Sequence, residues 1–210
     1  MKTTNWLRLG TALFTVAVLL TAAPADAKKK KEKEEATEEK DDKWDVNNPP
    51  GEWKTITIDT EETTWSNLDV SPDGETIVFD MLGDLYSVPM EGGEAIALTE
   101  GIAWNFQPQF SPDGSRIAFI SDRGGADNIW VMDADGSNPR AVTEEKEHLI
   151  HNPSWSPDGQ FLVARKGFTS TRSIPAGEIW MFHASGGGGL QITKRPNGDR
   201  DQKIGSAMFF

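Results

Sequence analysis

The chain has 210 residues, enough for one or two domains with a sizeable core, and it contains no cysteine. Disulfides, thiolate metal sites and a lipid-modified N-terminal cysteine are therefore excluded. The formal charge is −12, and from Trp44 onward 12 Lys/Arg stand against 25 Asp/Glu, so the body repels phosphate backbones and nucleic acid is not an expected partner.

Residues 1–27 read as a signal peptide. Lys2 and Arg8 form a positive n-region, Leu9 to Leu20 is mostly apolar, and Ala25-Asp26-Ala27 offers a small-x-small cleavage site. The apolar run is shorter than the roughly 20 residues a membrane span needs. The expectation is export, to the periplasm or beyond, not as a lipoprotein and with no stable membrane span after cleavage.

Residues 28–52 read as a charged, disordered linker. KKKKEKEEATEEKDDK, from Lys28 to Lys43, has no apolar side chain larger than alanine and cannot offset its ordering entropy. Asn47-Asn48-Pro49-Pro50-Gly51 then interrupts regular structure. Lys54 to Asp59 (KTITID) alternates and is β-branched, which predicts a strand. Because it belongs to no complete repeat, its expected role is to complete the last repeat of a ring.

One phrase organises the rest of the chain: Ser71-Pro72-Asp73-Gly74, Ser111-Pro112-Asp113-Gly114 and Ser156-Pro157-Asp158-Gly159. Serine suits the first position of a type I turn, proline pre-sets φ at the second, and glycine takes the left-handed position that closes it. Short apolar segments flank every copy, so each reads as strand, tight turn, strand. The copies begin 40 and 45 residues apart, the period of a repeat architecture.

After the central strand, each unit has a second alternating segment: Leu85–Val88, Ile129–Met132 and Ile179–Phe182. Next come a polar, glycine-bearing turn and a short strand ending in Thr99, Thr143 or Thr193. Four antiparallel strands in about 40–50 residues make one blade of a β-propeller; a three-sheet sandwich is the structural alternative. The fold class is all-β: an incomplete β-propeller over residues 53–210, preceded by the signal peptide and tether. Blades are expected at about 64–100, 101–144 and 149–194. The segment 203–210 reads as the start of a fourth, so the chain is expected to be the N-terminal piece of a longer protein.

Alternation of strands puts the Pro-Asp-Gly and glycine-rich turns on one face. The second-to-third-strand loops and the blade connections lie opposite. From turn phrase to third strand the spacing grows from blade to blade, so length variation collects on that opposite face, where binding usually sits. The third-blade loop, Arg165 to Glu178, offers Thr169, Ser170, Thr171, Arg172 and Ser173 as a candidate binding loop for a ligand or partner.

Chemistry is sparse. His148 and His151 fall in a blade connection and would need a further ligand to hold a metal. Asp133, Asp135, Ser137 and Glu144 suggest a calcium loop, but Asn138 stands where glycine is required and strands flank it. Gly186–Gly189 lacks the lysine of a phosphate loop, and no Gly-x-Ser-x-Gly elbow exists. Trp65, Trp130, Trp155 and Trp180 fall at or beside strand positions and read as packing residues. No catalytic, cofactor-binding or metal-ligating residue is therefore assigned.

Pro108 to Thr143, PQFSPDGSRIAFISDRGGADNIWVMDADGSNPRAVT, closely resembles the repeat of TolB-like β-propellers. The first blade departs from it, with Asp80-Met81-Leu82-Gly83 in place of the Ser-Asp-Arg loop. KWDVNNPPGEWKTITID, LVARKGFTSTRS and SGGGGLQITKRPN are similar to the N-terminal propeller of large exported bacterial amidohydrolase-superfamily proteins. That resemblance implies a downstream metal-dependent barrel hydrolysing C–N bonds with a divalent metal, zinc, bound by His and Asp. The propeller's partner would then be its own catalytic domain, which it gates or positions. Two alternatives stand beside this. One is a TolB-like scaffold binding cell-envelope proteins or peptides; the other is the propeller of a prolyl-oligopeptidase-like serine peptidase.

Overall fold

The computed structural model describes residues 45–52, 54–168 and 176–194, with backbone alone at 168 and 176. Residues 1–44, where a signal peptide and the start of a tether are expected, the loop residues Thr169–Ser173 and the segment 203–210 lie outside them.

Three four-stranded antiparallel sheets succeed one another along the chain. Blade 1 holds β1 (Leu68–Val70), β2 (Thr76–Met81), β3 (Asp84–Pro89) and β4 (Ile96–Ala97). Blade 2 holds β5 (Asn105–Phe110), β6 (Arg116–Ser121), β7 (Asn128–Asp133) and β8 (Arg140–Ala141). Blade 3 holds β9 (His148–Trp155), β10 (Phe161–Phe168), β11 (Ala176–His183) and β12 (Leu190–Gln191). Each sheet keeps sequence order from inner to outer strand, and the described residues contain no helix.

The turn phrase is built identically three times. In blade 1 the Gly74 N–H donates to the Ser71 carbonyl (2.8 Å), and Ser71 Oγ donates to Asp73 Oδ1 (2.5 Å). The same hydroxyl accepts the Thr76 N–H (2.9 Å), while Asp73 Oδ1 accepts that of Glu75 (3.0 Å). Ser111–Asp113 and Ser156–Asp158 repeat the pair at 2.6 and 2.5 Å. These bonds favour the ionised carboxylate, so all three aspartates titrate below the usual range, Asp113 at about 2.

The outer end of each blade carries a second repeated device. Thr99 Oγ1 accepts the Leu85 N–H (2.9 Å) and donates to Asp84 Oδ1 (2.8 Å). Thr143 does the same between Ile129 and Asn128, and Thr193 between Ile179 and Glu178. The closing threonine thus satisfies a backbone donor just where the two-residue outer strand ends.

The core lies between sheets rather than within one. Along β6, Ile117 and Phe119 join Val78, Leu85, Phe110 and Met132 on the blade 1 side. The alternate residues Ala118 and Ile120 join Ile150, Trp155, Leu162 and Phe182 on the blade 3 side. Period-two alternation therefore feeds two cores from one strand.

Polar contacts bind the inner strands of neighbouring blades. Asp80, 7% exposed, accepts both the main-chain and side-chain N–H of Asn67 and also the Gln107 N–H (2.8 Å). Gln107 Oε1 in turn accepts the Asn152 N–H (2.7 Å). Gln107 and Asn152 both hold positive φ, 55°, beside irregularities in β5 and β9. The kinks turn these N–H groups toward the neighbouring blade.

The structure departs from the sequence expectations in five places, the first being Trp65, expected to pack but 100% exposed in a left-handed conformation (φ 61°) ahead of β1. Lys54–Asp59 joins no sheet among the described residues, and Ile56 and Ile58 are 72% and 60% exposed. Its alternation suits a strand, but alternation alone cannot form a ladder without an edge to pair with. His148 and His151 belong to strand β9, not to a blade connection, because the inner strand of blade 3 starts earlier than in the other blades. The longer third-blade spacing arises partly from the strands themselves: β10 and β11 have 8 residues each, against 6 in β6 and β7. Finally, each outer strand stops before its threonine, which serves as a side-chain clamp.

Candidate functional site

The rim opposite the turn phrases collects the unequal connections. In blade 1 the link is Leu82-Gly83, in blade 2 Asp122–Asp127, and in blade 3 it falls outside the described residues. The candidate binding-loop residues Thr169, Ser170, Thr171, Arg172 and Ser173 are in that last link. Among described residues the rim between blades 2 and 3, and that between blades 1 and 2, carry the functional-looking chemistry.

Between blades 2 and 3 lies a charged cluster. Lys166 Nζ donates to Glu145 Oε1 (2.5 Å) and sits 4.4 Å from the centre of the Trp180 ring. His148 Nδ1 lies 3.1 Å from Glu145 Oε2. Lys166 is 7% exposed, and its pair with Glu145 makes that burial tolerable; Glu178, 3% exposed, accepts from Thr193 Oγ1 (2.7 Å). Nearby, burial pushes the Asp127 carboxyl up while the His151 charge pulls it back. Burial pushes His151 down, opposed by Asp127 and reinforced by Arg165. An open groove here is lined by Asp122, Asp127, Lys146, Glu147, His148 and Leu149. Among the described residues no group of three His, Cys, Asp or Glu could hold a metal ion.

Between blades 1 and 2 the geometry is tighter. Asn105, 1% exposed, donates through Nδ2 to the Gly83 and Ala103 carbonyls (2.9 Å each). Its Oδ1 accepts from Arg123 Nη2 (2.7 Å). The Arg123 guanidinium lies 5.3 Å from the Phe119 ring and 5.2 Å from the Trp130 ring. The Ser-Asp-Arg loop is thereby tied to the start of its own blade, and Asp122 Oδ1 accepts the Trp104 N–H (2.8 Å). Asn47 Nδ2 reaches the Arg123 carbonyl at 3.4 Å, bringing the Asp45–Asn48 turn to this rim.

Leu82 and Gly83 form a two-residue hairpin with φ of 54° and 93°. Such turns favour Asn-Gly, and a left-handed leucine costs about 1–2 kcal/mol. Trp104 packs on the turn, its Cε3 3.0 Å from where a Gly83 Cβ would stand.

Sequence reasoning met the Ser-Asp-Arg loop once, as part of the TolB-like resemblance, and the closing threonines as a recurring strand end, but assigned neither a role. It missed Asn105, Asp80 and Gln107, whose partners are far away in the chain. Only Gln107 had a signal: an amide stands four residues before each turn phrase, at Asn67, Gln107 and Asn152, whereas neither Asn105 nor Asp80 recurs at its offset.

The family model of the Tricorn protease N-terminal β-propeller domain matches residues 65–192. Over 97 residues the chain is 37% identical to an uncharacterized protein of Agrobacterium fabrum, covering 44% of this chain and 33% of that one. Over 83 residues it is 34% identical to the uncharacterized peptidase YuxL of Bacillus subtilis, covering 39% and 12%. Among solved structures, a putative TolB from Agrobacterium tumefaciens superposes with a TM-score of 0.55 at 26% identity, over 63% of this chain and 50% of that one. The chain spans a third or less of these curated relatives' length.

Proposed function

Since the chain belongs to the Tricorn protease N-terminal β-propeller family, we propose that it is the propeller of a larger exported hydrolase, in which it gates or positions a catalytic domain and does no bond-breaking itself. The observation that carries this reading is the contrast between the two rims. One repeats the same turn phrase three times. The other gathers unequal loops, a groove lined by Asp127, whose carboxyl burial pushes up, and the short Leu82-Gly83 hairpin. A rim that varies on a scaffold that does not is where a partner domain or substrate docks.

The resemblance of KWDVNNPPGEWKTITID and its companions supports an amidohydrolase-type parent, with a divalent metal, zinc, held in the partner domain. Assay of the full-length exported protein on simple amide and N-acyl substrates tests this. Hydrolysis should be abolished by a chelator and restored by zinc. Chelator-insensitive hydrolysis that a serine-directed reagent stops would replace it with the prolyl-oligopeptidase reading, to which the likeness to the Bacillus subtilis peptidase lends support.

A second reading is a periplasmic scaffold that binds envelope proteins, favoured by the likeness to the putative TolB. A full-length protein without hydrolase activity would support it. Among described residues no helix is long and apolar enough to cross a membrane.

A further inference from the structure

We propose that the rim centred on Leu82 and Trp104 is a docking site for a polypeptide segment that presents an apolar side chain flanked by lysine or arginine. Leu82 stands 66% exposed at the tip of a hairpin whose first position requires φ of 54°. Folding gains nothing from leucine there: asparagine suits the backbone better and prefers water. Trp104 is 56% exposed, yet its indole is seated on Gly83 and its main-chain N–H donates to Asp122 Oδ1. It offers an anchored aromatic surface beside the leucine, and Ile102, two residues before it in the chain, is itself 43% exposed.

The charge around this patch is mainly negative. Asp84, Glu100 and Asp122 border it, and Asp84 and Glu100 repel each other enough to help raise the Asp84 carboxyl, whose shift is mainly from burial. The one basic side chain among them, Arg123, is committed to Asn105 and Ser121 and lies against the Phe119 and Trp130 rings. An apolar anchor set in an acidic border is complementary to an apolar side chain between cations. The same border disfavours an anionic lipid surface or nucleic acid.

The test uses the full chain and three fluorescein-labelled peptides monitored by anisotropy: GSKRLRKSG, GSKRGRKSG and GSEDLDESG. The first should bind at least about tenfold more tightly than either control, and more weakly as salt rises. Leu82→Asn should weaken it about tenfold while leaving the thermal midpoint equal or higher, which separates lost docking from lost folding. Glu100→Lys, at an exposed site, should weaken it several-fold and flatten the salt dependence. Equal binding of the three peptides, or unchanged binding in both variants, overturns the proposal. The outcome is independent of the hydrolase assay, because no activity is read.

Discussion

Blades 1 and 2 share their turn phrase, strand order and threonine clamp, yet differ sharply in burial. Ile117 to Ser121 of β6 are all buried, whereas in β2 only Val78 and Asp80 are. Val70 of blade 1 is 37% exposed, and its counterpart Phe110 in blade 2 is 9%. Blade 2 lies between two sheets and feeds a core on each side. The hairpins are thus specified locally, while most of the apolar stabilisation comes from the neighbour, as in other stacked repeats.

The largest expected effect comes from paired core truncations. Phe119→Ala, at a fully buried position, should cost about 3–5 kcal/mol in urea denaturation of the full chain. Phe79→Ala at the matching position of blade 1, stacked on Tyr86 and half-buried, should cost about 1–2 kcal/mol, because less area leaves water. Equal losses would break the comparison.

Glycines in the outer turns sharpen it next. Gly92 and Gly136 have nearly the same φ, 88° and 87°. A Cβ on Gly92 meets nothing, but one on Gly136 stands 2.6 Å from the Leu98 carbonyl oxygen of blade 1. Gly136→Ala should therefore lose about 1–3 kcal/mol more than Gly92→Ala, read by the same denaturation.

The smallest effect concerns a device that needs no neighbour. Asp113 titrates at about 2 in the folded protein, below its ordinary 3.8, because Ser111 and Ser115 donate to it. Its contribution is complete above about pH 4 and is lost as pH falls toward 2. Asp113→Asn should flatten that part of the thermal midpoint against pH profile. Asp73→Asn in blade 1 should do the same, since its shift has the same direction and first cause. Asp69, Asp84 and Asp127, raised by burial, act with the opposite sign, so each variant is compared with the parent at every pH.

The same contrast separates what local residues specify from what they do not. Ser-Pro-Asp-Gly closes its turn with bonds inside six residues, so the sheets and their order come from local chemistry. The Leu82-Gly83 hairpin was visible as a departure from the repeat. Its strain was not, since the φ of Leu82 is imposed by the Met81–Asp84 pairing. Lys54–Asp59 had the right alternation and no ladder. The histidines were assigned to a connection because β9 begins with His148, a residue that periodicity does not mark as strand. At the rim, the Glu145–Lys166 and Arg123–Asn105 pairs join residues 21 and 18 apart in the chain. No spacing rule foretells such partners: the β5–β6 register, with Asn105 opposite Ser121, sets one pair, and the entry of the chain into blade 3 sets the other.

The turn phrases also touch one another. A Cβ on Gly114 would stand 3.4 Å from Pro72 Cδ, and one on Gly159 would stand 3.8 Å from Pro112 Cδ. Arg116 Nη2 adds a bond to the Gly159 carbonyl (3.0 Å). Each unit thus carries a tongue for the next and a socket for the one before. A tandem duplication of some forty residues would bring both halves of its own joint, so the fold can gain a unit without inventing a new seam.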